Sequence, residues 1–173
     1  TPMHGILSFA AFGLKKSESA SREKLNQYFA NIELSGQRLL SLLNNLLDLS
    51  KIETGKMEYY FKRYNLQEVL QHCLLEQQAS LNDKNIKVDV VVTTDKLYAD
   101  FDQQRISQVI INLLSNAIKF SPNSSTITIE LNQASLKCKK LRVTDSPVSA
   151  IKFKIQDQGI GIPEDELEDV FDQ

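Results

Sequence analysis

Two clusters of residues have the types and spacing for chemistry, and the first lies between Asp102 and Phe120. At about 100° per residue on a helix, Arg105, Gln108, Asn112, Asn116 and Lys119 fall within an arc of about 80°. Ile106, Val109, Ile110, Leu113, Leu114, Ala117 and Ile118 occupy the neighbouring side, which reads as buried. A polar stripe can be no more than a solvated face, and that reading stays open. Solvated faces favour Glu and Lys, however, whereas two Asn in register are poor helix formers. Asn carbonyls suit a Mg²⁺ that keeps several waters and shares its shell with phosphates. Lys119, one turn further on, would set a positive charge against the same phosphates.

The second cluster is Asp157-Gln158-Gly159-Ile160-Gly161-Ile162-Pro163, directly after a strand-like run. Glycines two apart let the backbone turn sharply and approach a ligand closely. A carboxylate at the end of a buried strand can accept a hydrogen bond from an exocyclic amine. A generic strand-to-turn connection would look much the same, so this short motif is weak by itself. Only six glycines occur in the chain, which leaves no room for a P-loop, and the spacing is not a Rossmann fingerprint. His4 and His72 are the only histidines, so His-rich metal sites are excluded. His72, beside Cys73 in an amphipathic stretch, reads as structural. The two cysteines, Cys73 and Cys138, lie far apart without a CxxC, against both a disulfide framework and a zinc site.

The elements that must position these residues are legible in outline. Residues 1–16 read as a helix with Pro2 in its first turn and Ile6, Leu7, Phe9, Ala10 and Leu14 at helical spacing. The polar run 17–21 suits a helix hairpin. A long helix follows over 22–54, its stripe of Leu25, Phe29, Ile32, Leu39, Leu43, Leu46 and Leu49 widened by Leu40, Leu42, Leu47 and Ile52. Two antiparallel helices cannot bury so wide a face between them. A four-helix bundle from two copies is the economical solution, with packing onto the rest of the chain as the alternative. After Gly55 the pattern mixes types: a strand over 57–64, a helix over 66–81, and strands over 86–92 and 96–99. The helix 102–120 and strands 126–131 and 151–155, joined as a hairpin, complete it. The fold class is α+β, with helices layered on a sheet.

The 173 residues carry 20 Lys and Arg against 22 Asp and Glu, a net charge of −2. That balance gives no support to nucleic acid or an anionic membrane as the main partner. Hydrophobic residues make up 42% of the chain, enough for a real core. No apolar run approaches the ~20 residues of a membrane span.

At this point the chain resembles a family. The run from Asp102 through Asn112 and Asn116 to Lys119-Phe120-Ser121 is similar to the asparagine box of sensor histidine kinases. Asp157 to Pro163 resembles their first glycine box, and Phe171 falls where their phenylalanine box begins. Leu46 to Met57 resembles the end of the second helix of their dimerisation and phosphotransfer domain. Thr1-Pro2 resembles the close of their acceptor motif, His-Glu-x-Arg-Thr-Pro. The resemblance implies a dimerisation hairpin over 1–56 and an ATP-binding α/β sandwich of the Bergerat type over 57–173. It implies ATP and Mg²⁺ as cofactors, with Asn116 as the principal metal ligand and Asn112 near the metal and phosphates. Lys119 would approach the phosphates, Asp157 would accept from the adenine amino group, and Gly159 and Gly161 would shape the loop. It further implies a homodimer through helices 1–16 and 22–54, a response-regulator receiver as partner, and a cytoplasmic location within a parent that could be membrane-anchored.

The departures are also expectations. The acceptor histidine is expected four residues before Thr1, outside this sequence. His4 follows the Thr-Pro pair, a position the family does not use. The lid and second glycine box are expected beyond Gln173, so this chain alone is expected to be catalytically silent. Two other functions compete with the kinase core. A Bergerat-fold ATPase would carry a Glu one turn before the metal-binding Asn; here that position is Asn112, which cannot act as a general base. A non-catalytic dimeric signalling module is disfavoured by the intact Asn112, Asn116, Lys119 and Asp157.

Overall fold

Pro2 opens the first helix, α1 (Pro2–Lys15), where its missing N–H would have had no partner anyway. The structure, a computed structural model, describes residues 1–136 and 148–167. It divides into two compact units, Thr1–Glu58 and Tyr59–Gln173.

In the first unit the polar run after α1 ends at Ser21. Its side chain caps α2 (Arg22–Glu53) by accepting from the Lys24 N–H at 3.3 Å. Gly55 closes that helix in the left-handed region, φ 65°, and Lys56 N–H reaches back to the Lys51 carbonyl at 2.9 Å. The two helices pack as a hairpin. Gly5 sits where a Cβ would lie 2.7 Å from Ser35 Oγ, so the backbones approach closely there. The rings of Phe9 and Phe12 each lie 6.2 Å from that of Tyr28. No residue of either helix is fully buried within the unit.

The second unit begins with a short antiparallel pair, β1 (Lys62–Asn65) with β3 (Tyr98–Phe101). Between them run α3 (Leu66–Glu76), α4 (Gln78–Asp83) and β2 (Lys87–Val92). After β3 come α5 (Gln103–Phe120), β4 (Thr126–Leu136) and β5 (Val148–Gln156). β4 is central in the main sheet, parallel to β2 and antiparallel to β5. Ile127, Ile129 and Leu131 alternate along β4 at 0% exposure, facing Leu70 and Cys73 of α3 and Ile110 and Leu114 of α5 in one core. The intervening Thr128 and Glu130 are half-buried on the other face, where Glu130 meets Lys154 of β5 at 3.0 Å. The ammonium holds the Glu130 carboxyl below the usual carboxylate range. Helices thus cover one face of a mixed sheet, the expected α/β layering.

Several local expectations need correction. The strand expected over 57–64 forms only at Lys62–Asn65. Its partner β3 ends at Phe101 because Asp102 turns to cap α5, leaving the preceding aromatics no strand to pair with. The helix expected over 66–81 breaks at Gln77, and the redirected α4 brings Leu81 into the core at 4% exposure. β4 runs five residues past its expected end at Leu131, because β5 pairs with it as far as Leu136↔Val148. Cys73 is a free, buried thiol whose pKa burial pushes up, whereas His72 points outward and is exposed. Cys138 and Phe171 lie outside the described residues.

Asp102 ties the first strand pair to α5. Its carboxylate accepts the Tyr60 N–H at 2.9 Å and the Arg105 N–H at 3.2 Å, which hold its pKa below the ordinary value. A carboxylate lowered in the folded state contributes stability above its unfolded pKa and loses that contribution as pH falls through the folded one. The melting-temperature gap between wild type and Asp102→Ala is therefore expected to be widest at neutral pH. It should narrow as the medium is acidified below about pH 4. A gap that stays constant from neutral pH to pH 3 would contradict the cap.

Candidate functional site

The face of α5 opposite the core carries the first cluster. Ile110, Leu114, Ala117 and Ile118 are buried, and Asn112, Asn116 and Lys119 stand exposed on the other side of the helix. Arg105 and Gln108, earlier in the stripe, bond to each other, Nη1 donating to Oε1 at 3.2 Å. The open part of the stripe is therefore its last three members. Neither Asn112 nor Asn116 spends its side-chain amide on another described residue; Asn112 meets Ser115 only through its backbone carbonyl. Lys119 holds its ammonium 4.8 Å from the Phe120 ring centre. Val109 and Leu113, expected on the buried side, are 52% and 37% exposed. They flank the stripe where no described element covers the helix.

The second cluster follows β5. Asp157 is exposed, and its Oδ1 accepts the Gly159 N–H at 2.7 Å, folding the chain into a tight turn. A side chain at Gly159 would not fit: its Cβ would lie 2.8 Å from the Phe120 carbonyl oxygen and 2.7 Å from Asp157 Oδ1. Gly161 has φ 73°, the left-handed region in which glycine is favoured. Gln158 pins the turn to the start of β4, its Oε1 accepting from Thr126 N–H at 3.0 Å.

The contact between Gly159 and Phe120 brings the two clusters together. The turn lies against the last residue of α5, next to Lys119. Asn116 is one helical turn back and Asn112 two, about 12 Å from Phe120 along the axis. An elongated ligand would find an acceptor at the Asp157 end, and amides and a cation along the helix. Ser121 Oγ, directly after Phe120, is buried and has no hydrogen-bond partner among the described residues. A divalent cation would find no cage of three or more His, Cys, Asp or Glu among the described residues. It would take Asn oxygens together with waters and ligand oxygens, the manner that suits Mg²⁺.

His4 is placed elsewhere, exposed on α1 with Nδ1 2.8 Å from Thr1 Oγ1. A separate open groove of about 350 Å³, lined by Arg63, Asp95, Lys96, Tyr98 and Ser149, shares no residue with either cluster. Two residues that the sequence reading passed over belong to the site's framework. Gln158 sits inside the motif but bonds 32 residues away, and Lys84 bonds the end of α5 from 34 to 37 residues away. No local pattern marks either.

Residues 1–55 match the family of His Kinase A (phospho-acceptor) domains. Residues 101–173 match the family of histidine kinase-, DNA gyrase B- and HSP90-like ATPases. The chain belongs to the histidine kinases. Over 172 residues it is 34% identical to Hybrid signal transduction histidine kinase B of Dictyostelium discoideum, covering 99% of this chain and 8% of that protein. Over 173 residues it is 31% identical to Circadian input-output histidine kinase CikA of Synechococcus elongatus, covering 99% of this chain and 21% of that one. This histidine kinase chain thus spans less than a quarter of either relative. Among solved structures, the Acinetobacter baumannii histidine kinase AdeS superposes with a TM-score of 0.68 at 20% identity, covering 96% of this chain and 75% of that one. Full-length ShkA in complex with AMPPNP gives 0.66 at 18% identity, covering 95% and 31%. At such identities the likeness establishes the fold: a helical hairpin, then the ATPase-type α/β domain. No helix among the described residues is long and apolar enough to cross a membrane.

Proposed function

We propose that this chain is the core of a sensor histidine kinase, which binds ATP with Mg²⁺ and passes the γ-phosphoryl group to a histidine. The observation that carries the reading is the junction of the two clusters, where the Gly159 turn meets the end of α5 beside Lys119. In this reading Asp157 accepts from the adenine amino group, and Gly159 and Gly161 let the backbone lie close to the base. Asn116 is the principal metal ligand, with Asn112 beside it, and Lys119 turns from Phe120 toward the phosphates. Bound Mg²⁺ would neutralise phosphate charge. The protein's own part is to position and to supply fixed dipoles, which is most of what phosphoryl transfer asks of it.

Transfer is favoured over hydrolysis because α5 contains no Asp or Glu at all. The acidic residue nearest to it, Asp102, is committed to the backbone N–H groups of Tyr60 and Arg105. A base to activate water is thus missing from the helix that holds the metal. The exposed leucines of α2 support pairing of two hairpins into a four-helix bundle, as dimerising phospho-acceptor domains do. A receiver-domain aspartate would take the phosphoryl group next; the solved kinase ThkA in complex with response regulator protein TrrA offers a precedent in another protein.

The parent protein, incubated with γ-labelled ATP and Mg²⁺, is expected to acquire acid-labile, base-stable phosphate. Asn116→Ala should lower the labelling by about tenfold or more, since it removes a preorganised ligand from the charged centre. Phosphate released to water without labelled protein would assign the chain to the ATPases instead.

A further inference from the structure

Lys84 follows α4, and its half-buried side chain crosses to the far end of α5. Nζ donates to the carbonyl oxygens of Ile118 at 2.8 Å, Lys119 at 2.8 Å and Ser121 at 3.1 Å. The connection is anchored on both sides. Ser124 N–H donates to the Lys84 carbonyl at 2.9 Å, and Asn85 Nδ2 donates to Ser124 Oγ at 3.1 Å. Asn85 and Ser124 both adopt positive φ, 51° and 60°, to make this fit.

The last four carbonyls of a helix have no donor within the helix. In α5 each of these has a defined neighbour. Ala117 accepts from Ser121 N–H at 3.0 Å, Ile118 and Lys119 accept from Lys84, and the Phe120 carbonyl faces Gly159. One ammonium therefore satisfies two of the four and places its charge at the negative end of the helix dipole. The turn it fixes is the one that carries Lys119 and touches the glycine turn.

We propose that Lys84 is a positioning residue for the nucleotide: it holds the last turn of α5 so that Lys119 and the Gly159–Gly161 turn meet one ligand. The inference rests on the reading that ATP binds at that junction. Without Lys84 the final turn would sample several orientations, and a nucleotide would have to order it on binding, which costs affinity.

The full chain, titrated calorimetrically with ATP and Mg²⁺ at a temperature where each variant gives the wild-type circular dichroism spectrum, tests this. Lys84→Met is expected to raise the Kd about tenfold, the scale of a lost charged hydrogen bond. Lys84→Arg, which keeps charge and donors, should stay within about threefold of wild type. A merely structural cap would lower the melting temperature of Lys84→Met and leave the Kd of the folded protein unchanged, which would overturn the inference. Equal weakening in Lys84→Arg and Lys84→Met would overturn it too. Asn116→Ala separates the two levels: wild-type affinity in that variant refutes the nucleotide site itself, whatever Lys84 does. If Lys84→Met does not fold, Lys84→Gln replaces it, with about a threefold loss expected and wild-type affinity as the refuting result.

Discussion

Replacing both Leu43 and Leu46 with glutamate is expected to turn a dimer into a monomer in sedimentation equilibrium. Within the first unit these leucines are 51% and 63% exposed, and Leu40, Leu42 and Leu47 beside them are more than half exposed. At about 100° per residue, Leu39, Leu40, Leu42, Leu43, Leu46, Leu47 and Leu49 span about 180° of α2. One packed helix covers a stripe little wider than about 100°. α1 is antiparallel and places Gly5 against Ser35, so its first residues stand near the middle of α2 and leave this stretch uncovered. A second hairpin can cover it. Burying a leucine contributes about 1.5–3 kcal/mol, and the double substitution removes four leucines per dimer while bringing four carboxylates together. Even after discounting for the cost of association, the dissociation constant should rise at least a thousandfold or so. Glutamate is nearly as good a helix former as leucine, so the helix itself should survive. Retained ATP binding by the second unit would separate dissociation from unfolding. A wild-type chain that stays monomeric at high micromolar concentration would refute the interface.

What the sequence made legible was local. The helix 102–120 with its Asn stripe, the strand over 126–131 and the glycine turn after Asp157 each follow from residues within one or two turns of one another. The misreadings came from distant neighbours. Val109 and Leu113 belong to an apolar arc on α5 that is wider than the face the sheet covers, and periodicity alone cannot tell which flank stays open. The aromatics Tyr59, Tyr60 and Phe61 look like strand residues, yet pairing depends on how far β3 runs, and Asp102 ends it. Lys84 is the sharpest case. A lysine between a short helix and a strand reads as a solvated charge, and only the packed fold brings it to three carbonyls more than thirty residues away. The same distinction separates the two halves of the candidate site. Its donors and acceptors are written in two short motifs, but their meeting at Phe120 and Gly159 is a product of sheet topology.

Asp157→Asn is expected to change which base the site accepts while leaving the turn in place. Asp157 Oδ1 already accepts the Gly159 N–H at 2.7 Å, and an asparagine side-chain oxygen can keep that bond. The substitution then falls on the outer oxygen, which becomes an NH₂ group. An adenine amino group, itself a donor, would meet a donor where it had met an anionic acceptor. A lost charged hydrogen bond is worth about 1.5–3 kcal/mol, so ATP affinity should fall about ten- to a hundredfold. Guanine carries a carbonyl at the corresponding position, an acceptor that the new NH₂ can serve. The ratio of the GTP to the ATP dissociation constant should therefore drop by more than the ATP loss alone requires. Asp157→Ala would remove the turn bond as well: it should weaken ATP by more than GTP, and it offers guanine no donor in exchange. Calorimetric titration of the wild type and both variants with each nucleotide distinguishes these outcomes. If Asp157→Asn weakened ATP and GTP equally, Asp157 would be a turn residue only, and the acceptor for the base would lie elsewhere.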